Sequence, residues 1–113
     1  MRPMNALPPE IAQHLDAVRA LCEKYRVKRL TIFGSAVKGT FDAATSDVDF
    51  VVEFHADAPR EGFGGAYMRL LVDLQDLLGR EVDLVERRAI ENPYFVQVLA
   101  LTEQAVYEST RAA

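Results

Sequence analysis

The chain has 113 residues, of which 50% are hydrophobic and 27% charged, a composition typical of one globular domain spanning residues 1–113. Its net charge of −4 argues against a main role in binding the nucleic-acid backbone, which normally requires a basic surface. We therefore expect no direct nucleic-acid partner. No apolar run approaches the roughly 20 residues that span a bilayer, and the N-terminal stretch lacks the apolar centre of a signal peptide. The one cysteine, Cys22, cannot form an internal disulfide, and we expect a cytoplasmic protein with no membrane partner.

The first half of the chain predicts a helix followed by two strands. The helix is marked by apolar residues at helical spacing after a Pro-Pro pair: Ile11, Leu15, Val18, Cys22 and Tyr25. Residues 27–33 predict a strand that ends at a Gly-Ser turn, and residues 47–54 predict a second strand. Successive side chains of a strand point to opposite faces, so Asp47 and Asp49 share one face and the apolar residues beside them face a core.

The second half of the chain predicts two more helices and two more strands. A loop over residues 55–65 leads to a helix that ends at Gly79. The predicted buried face of this helix consists of Tyr67, Leu71, Leu74 and Leu78. Residues 81–86 predict the third strand, and Asn92-Pro93 begins the last helix, with Asn as the cap. Residues 105–107 predict a strand at a sheet edge, where another chain could pair. These elements together predict one small α/β domain.

Two alternate carboxylates that follow a Gly-Ser turn are the most informative pattern in this sequence. Asp47 and Asp49 repel each other when they are close, unless a cation lies between them. Gly34 and Ser35 form a turn whose free backbone N–H groups can bind phosphate. Carboxylates and phosphates are the oxygen ligands that magnesium takes in proteins. The pattern therefore predicts a metal–nucleotide site.

The same residues resemble the signature of a known superfamily. Gly34-Ser35, a gap of eleven residues, and then Asp47-Val48-Asp49-Phe50 are similar to the motif of the polymerase-β-like nucleotidyltransferases. The short chain and the stretches 33–39 and 46–50 resemble more narrowly the minimal nucleotidyltransferase (MNT) domain. The resemblance covers residues 30–107, with its motif core in residues 30–86. It implies the polymerase-β-like fold, a small mixed sheet flanked by helices, in the α/β (α+β) class.

The resemblance also implies what the site residues do. Asp47, Asp49 and a third acid would bind two Mg²⁺ ions, and the third acid would help to deprotonate the attacking hydroxyl. Asp83 is the candidate for this third acid, because it lies on the next predicted strand and can reach the same face. Gly34 would let the backbone approach a phosphate without a Cβ in the way. Ser35 would hold the triphosphate of the donor nucleotide, which the resemblance gives as ATP.

The roles of several polar residues remain open on the sequence alone. Lys38 stands where many relatives carry arginine, and it either screens phosphate charge or is a solvated loop residue. Ser46 either braces the acidic strand or ends a turn. The pair Arg87-Arg88 could contact a phosphate or a partner, although a solvated pair is the simpler interpretation. His14 and His55 have no metal-ligand spacing and are predicted to lie at the surface, and Cys22 is predicted to lie in the core.

We expect these 113 residues to form one domain, without a second domain that binds the acceptor of the transferred nucleotide. The resemblance to the MNT family implies a partner protein. This partner would be a helical HEPN ribonuclease, the toxin of a toxin–antitoxin pair. The chain would then be an antitoxin that transfers AMP from ATP to a tyrosine of the HEPN toxin, in a homo- or hetero-oligomer. One alternative is a binding module that neutralises its partner without catalysis. Another is a small-molecule nucleotidyltransferase of the aminoglycoside type, which the missing acceptor domain disfavours.

Overall fold

The computed structural model describes residues 7–34, 47–59 and 65–110 of the chain. These ranges hold helices and strands in the following order: α1 (Pro9–Ala12), α2 (Leu15–Lys24), β1 (Val27–Phe33), β2 (Val48–Phe54), α3 (Ala66–Leu78), β3 (Val82–Glu86), a 3-10 turn (Arg87–Ala89), α4 (Pro93–Thr102) and β4 (Gln104–Glu108). The three strands nearest the predicted site begin and end within one residue of the sequence prediction. None of the helices in this part of the chain combines the length and apolar character that crossing a bilayer requires.

The four strands form one mixed sheet in the order β3-β2-β1-β4. Strand β1 runs antiparallel to both β2 and β4, whereas β2 and β3 run parallel. A parallel pair needs a crossover connection, and α3 provides it. The prediction of a small mixed sheet flanked by helices is confirmed.

The sheet is covered on both faces. On one face, Phe50 of β2 and Leu30 and Ile32 of β1 are fully buried and form one apolar cluster with α2 and α3. On the opposite face lies α4, where Leu99 is buried and the ring of Phe95 meets that of Phe33 edge to face, with centroids 5.9 Å apart. Helix α4 begins as predicted, since the Asn92 side chain accepts a hydrogen bond from the Tyr94 N–H at 2.9 Å.

Two predictions about the helices need correction. The single first helix is in fact two, because the chain turns at Gln13-His14, where the His14 N–H donates to the Ile11 carbonyl three residues earlier. The fully buried row of α3 agrees with the predicted row at Leu74 and Leu78 but lies one residue earlier in the first half of the helix. It consists of Ala66, Leu70, Leu74 and Leu78, while Tyr67 and Leu71 lie half-buried beside it. Tyr67 therefore flanks the buried row, and its hydroxyl reaches the main chain of β3.

The edge strand β4 is confirmed, and its outer side is partly occupied by the chain itself. The Nε of Arg19, on α2, donates to the Val106 carbonyl at 3.1 Å. The pairing of β4 with β1 also shifts register next to this residue. A side chain and an irregularity at an edge both hinder pairing with a foreign strand. These features weigh against the idea that β4 recruits another chain by strand addition.

His55 is buried, with 4% of its surface exposed, so its prediction as a surface residue is wrong. The chain leaves β2 and folds back immediately, with the His55 N–H donating to the Arg26 carbonyl at 2.9 Å. Arg26 has a φ of +59°, in the left-handed region, which aims its carbonyl at this turn. Cys22 lies in the core as predicted, and burial raises the pKa of its thiol to about 12.

The sequence favoured a solvated Arg87, but in the structure Arg87 forms a network of ion pairs. It contacts Glu53 at 3.2 Å and also the carboxylate of Glu103, whose side chain is 8% exposed. The Thr31 hydroxyl donates to the same Glu103 carboxylate at 2.5 Å. Arg88 is solvated as predicted, because its side chain is 62% exposed and meets Glu86 at the surface. The Arg87 network ties the end of α4 to the sheet.

We expect Arg87→Met to lower the free energy of unfolding by about 2–4 kcal/mol, since it leaves the buried Glu103 carboxylate without a counter-ion. Arg88→Met is the matched control, and its effect should stay within about 0.5 kcal/mol because an exposed pair contributes little. Urea unfolding of both variants measures the difference. Equal destabilisation by the two substitutions would show that the Arg87 network does not stabilise the fold.

Candidate active site

The predicted acids come together where β2 and β3 run side by side. The register of this parallel pair places Asp49 directly opposite Asp83, and adjacent strands lie about 4.8 Å apart. Asp47 immediately precedes β2, two residues before Asp49. Asp47 and Asp83 are exposed, whereas Asp49 is half-buried. The sequence prediction that Asp83 reaches the face of Asp49 therefore agrees with the register of the sheet.

The electrostatics of this group centre on Asp49. Burial raises the pKa of the Asp49 carboxyl above its ordinary value, and the carboxylates of Asp83 and Asp47 raise that pKa further. Each cause acts against the charged form of Asp49. A divalent cation beside the group would reverse this effect, because it stabilises the carboxylates in their charged form.

Gly34 ends β1 directly against this carboxylate. The strand register places its neighbour Phe33 opposite Asp49, and Gly34 has a φ of +76°, in the left-handed region that favours glycine. A Cβ at this position would overlap the Asp49 Oδ2 and lie 3.3 Å from the Asp49 Cγ. Both the conformation and the close approach thus require glycine here. The backbone of the turn begins in contact with the acidic group, as a phosphate-binding turn next to a metal site requires.

Three of the predicted phosphate-binding residues, Ser35, Lys38 and Ser46, lie outside the described residues. Their predicted contacts with the nucleotide remain predictions. The described part of the predicted site is therefore Gly34 with the three acids.

The donor set of the site suits magnesium. All its charged donors are carboxylate oxygens, the ligands that hard cations prefer. Within residues 7–34, 47–59 and 65–110, no three or more side chains of His, Cys, Asp or Glu are already gathered as a metal-binding group. Magnesium usually takes one or two carboxylates and completes its ligands with substrate phosphates and water. The pair Asp49 and Asp83, with Asp47 adjacent, can supply these carboxylates to a metal, and a bound nucleotide would add phosphate ligands.

Tyr67, which the sequence predicts only as part of a buried helix face, is a polar neighbour of the site. Its hydroxyl donates to the main-chain carbonyl of Leu84 at 2.5 Å. Burial raises the pKa of the Tyr67 hydroxyl, and the carboxylates of Asp83 and Glu86 raise it further. The sequence holds one signal for this position, a tyrosine in the first turn of the helix that leads to the strand with the third acid. That signal alone does not say where the hydroxyl points.

A mixed sheet with acids paired across two parallel strands, beside a glycine turn at the end of the preceding strand, is the arrangement of polymerase-β-like nucleotidyltransferases. The family model described as the nucleotidyltransferase domain matches residues 16–105, which include Gly34 and all three acids. The chain belongs to this nucleotidyltransferase domain family.

The relatives narrow the class further. A Methanocaldococcus jannaschii protein named as a candidate protein adenylyltransferase is 34% identical over 89 residues, which cover 79% of this chain and 84% of that protein. The solved structure of a candidate minimal nucleotidyltransferase is 29% identical, with a TM-score of 0.66 over 84% of this chain and 89% of that one. The chain is thus a nucleotidyltransferase similar to protein adenylyltransferases.

Two solved toxin–antitoxin complexes share the fold at lower identity. One contains AMP-PNP, and its matching chain is 22% identical, with a TM-score of 0.64 over 85% of this chain and 74% of that one. The other is a tri-AMPylated Shewanella oneidensis HEPN toxin in complex with an MNT antitoxin. Its matching chain is 19% identical, with a TM-score of 0.61 over 87% of this chain and 72% of that chain. At these identities the likeness is one of fold.

Proposed function

We propose that this protein transfers AMP from ATP, with Mg²⁺, to a tyrosine hydroxyl of a HEPN-type partner, and that it acts in this way as an antitoxin. The observation that carries the proposal is the contact of Gly34 with Asp49, in a sheet whose register sets Asp49 opposite Asp83. The similarity to protein adenylyltransferases supports a protein acceptor, and the AMPylated HEPN toxin in a complex of the same fold supports its class.

Each residue of the site has a role in this reaction. Asp47 and Asp49, with Asp83, would hold Mg²⁺, which neutralises charge on the phosphates when it is bound. The acceptor oxygen forms a bond to the α-phosphorus, and the bond from that phosphorus to pyrophosphate breaks. The proton of the attacking hydroxyl passes to the Asp83 carboxylate. The N–H groups of the turn at Gly34 and Ser35, with Lys38 and Ser46, would hold the triphosphate.

Helix α4 carries exposed apolar side chains that suit contact with a protein acceptor. Of the large hydrophobic side chains that are exposed in the described ranges, three lie on this helix: Tyr94 at 73%, Val96 at 43% and Leu101 at 85%. Such a concentration on one element is typical of protein contact sites. The ring of Phe95, on the same helix, packs on Phe33, which the strand register sets opposite Asp49. A protein held on α4 would therefore lie beside the catalytic edge of the sheet.

The test is incubation with Mg²⁺, ATP and the protein encoded by the neighbouring gene, followed by intact mass measurement of both proteins. We expect the neighbour to gain the mass of one or more AMP groups, and the double variant Asp47→Asn/Asp49→Asn to transfer none. If the double variant silences the neighbour as well as the wild type does, and the neighbour never gains mass, the protein is a binding antitoxin without catalysis.

A further inference from the structure

Tyr67 connects α3 to the strand that carries the third acid. It is the second residue of α3, and its hydroxyl donates to the carbonyl of Leu84, which directly follows Asp83 in β3. Strand β3 has five residues, and among the described residues it is an edge strand whose one strand neighbour is β2. The Tyr67 hydroxyl therefore supplies a second attachment for the β3 backbone at the catalytic residue.

The exposure of Asp83 makes this attachment important. Its carboxylate projects from the face opposite to Val82 and Leu84, which are buried in the core. Burial therefore holds the residues on either side of Asp83, while its own side chain has little packing to fix it. Its position depends on the backbone of β3, and the hydrogen bond from Tyr67 acts on that backbone one residue away.

We propose that Tyr67 is a positioning residue, whose hydrogen bond to the Leu84 carbonyl holds Asp83 opposite Asp49 in the geometry that metal binding and nucleotidyl transfer require. This inference rests on the site of the proposed function. The phenol acts as a donor throughout, because burial and the acids around it keep it protonated. It contacts the strand and not the reacting atoms, so its effect on catalysis is through Asp83.

The chain offers a matched control in Tyr25. The Tyr25 hydroxyl donates to the Asp73 carboxylate at 2.5 Å, and this bond ties α3 to the end of α2. Tyr25→Phe and Tyr67→Phe each remove one hydroxyl and one hydrogen bond at α3. They differ in what the bond holds, since Tyr25 joins two helices and Tyr67 holds the acidic strand. General loosening of α3 should appear in both variants, and displacement of Asp83 in Tyr67→Phe alone.

The first readout is metal binding without nucleotide, with Mn²⁺ alone as the probe and the free-ion EPR signal as the measurement. We expect Tyr67→Phe to weaken Mn²⁺ binding about 10-fold, in the range found when a group that orients a metal ligand is removed. Tyr25→Phe should leave Mn²⁺ affinity within about twofold of the wild type. Equal affinities for the two variants would overturn the inference.

The second readout is AMP transfer to the neighbouring-gene protein. Tyr67→Phe should lower kcat about 10- to 100-fold with little change in the KM for ATP, because a small displacement of a catalytic group slows the chemical step. Tyr25→Phe should retain the wild-type kcat, even if its melting temperature falls as much as that of Tyr67→Phe. If the wild type binds Mn²⁺ but transfers no AMP, the proposed function fails, and the Mn²⁺ comparison still decides the role of Tyr67.

Discussion

Gly34→Ala is expected to reduce AMP transfer by about 100-fold or more, whereas Gly79→Ala should leave transfer nearly unchanged. Both glycines have a left-handed φ, +76° at Gly34 and +65° at Gly79, so alanine strains the backbone at each by about 1–2 kcal/mol. Only at Gly34 would the new Cβ overlap the carboxylate of Asp49, since nothing lies within 4 Å of a Cβ at Gly79. Asp49 or the turn must then move, and the site is displaced.

The comparison of these two variants separates strain from geometry. Both should unfold at lower urea concentration than the wild type, and Gly34→Ala should be the less stable of the two. Transfer to the protein acceptor, measured by intact mass at several times, should fall in Gly34→Ala alone. If Gly34→Ala keeps wild-type kcat, or if Gly79→Ala loses as much, the contact of Gly34 with Asp49 has no catalytic importance.

The sequence was most informative where a local period determines the structure. Alternation along residues 47–54 was enough to place Asp47 and Asp49 on one face, because a strand allows two directions for a side chain and the apolar residues take the other. The same reasoning placed Asp83 on the face that the parallel register now gives it. The cap of α4 at Asn92-Pro93 is equally local. Each of these predictions depends on a few adjacent residues.

Other features depend on packing between distant parts of the chain, which no local pattern contains. Arg87 and Arg88 are adjacent residues of the same type, yet only Arg87 contacts Glu53 and Glu103. These two glutamates belong to distant parts of the chain. The buried position of His55 arises from a turn against Arg26, and the direction of the Tyr67 hydroxyl from the packing of the first turns of α3 beside β3. Apolar periodicity gives the approximate face of a helix, but neighbouring elements decide the final rotation.

Asp49→Asn is expected to lower AMP transfer by about 1,000-fold or more, as loss of a central catalytic carboxylate does in other enzymes, and at the same time to stabilise the fold at neutral pH. The side chain keeps its shape but loses the charge that a bound cation would need. Burial and the carboxylates of Asp83 and Asp47 raise the pKa of Asp49 in the folded protein. The folded state therefore binds the Asp49 proton more tightly than the unfolded state does.

The sign of the pH dependence follows from this difference. Stability due to Asp49 is fully present below its unfolded pKa and is lost as the pH rises through the raised folded pKa. Asp49→Asn should thus be more stable than the wild type at pH 7, and the difference should vanish as the pH falls below the ordinary value of 3.8. Urea unfolding over this pH range measures it, with the exposed Asp76→Asn as a control that should change neither stability nor transfer.

An Asp49→Asn variant that is less stable than the wild type at pH 7 would contradict this account, because it would mean that the charged carboxylate supports the fold. The combination we expect, a gain in stability with a loss of transfer, separates two explanations for an acid at this position. A structural acid stabilises the fold through partners that favour its charge, and its removal should weaken the protein. At Asp49 the neighbouring groups oppose the charge, so under the proposed function a bound cation, which favours that charge, would explain its presence.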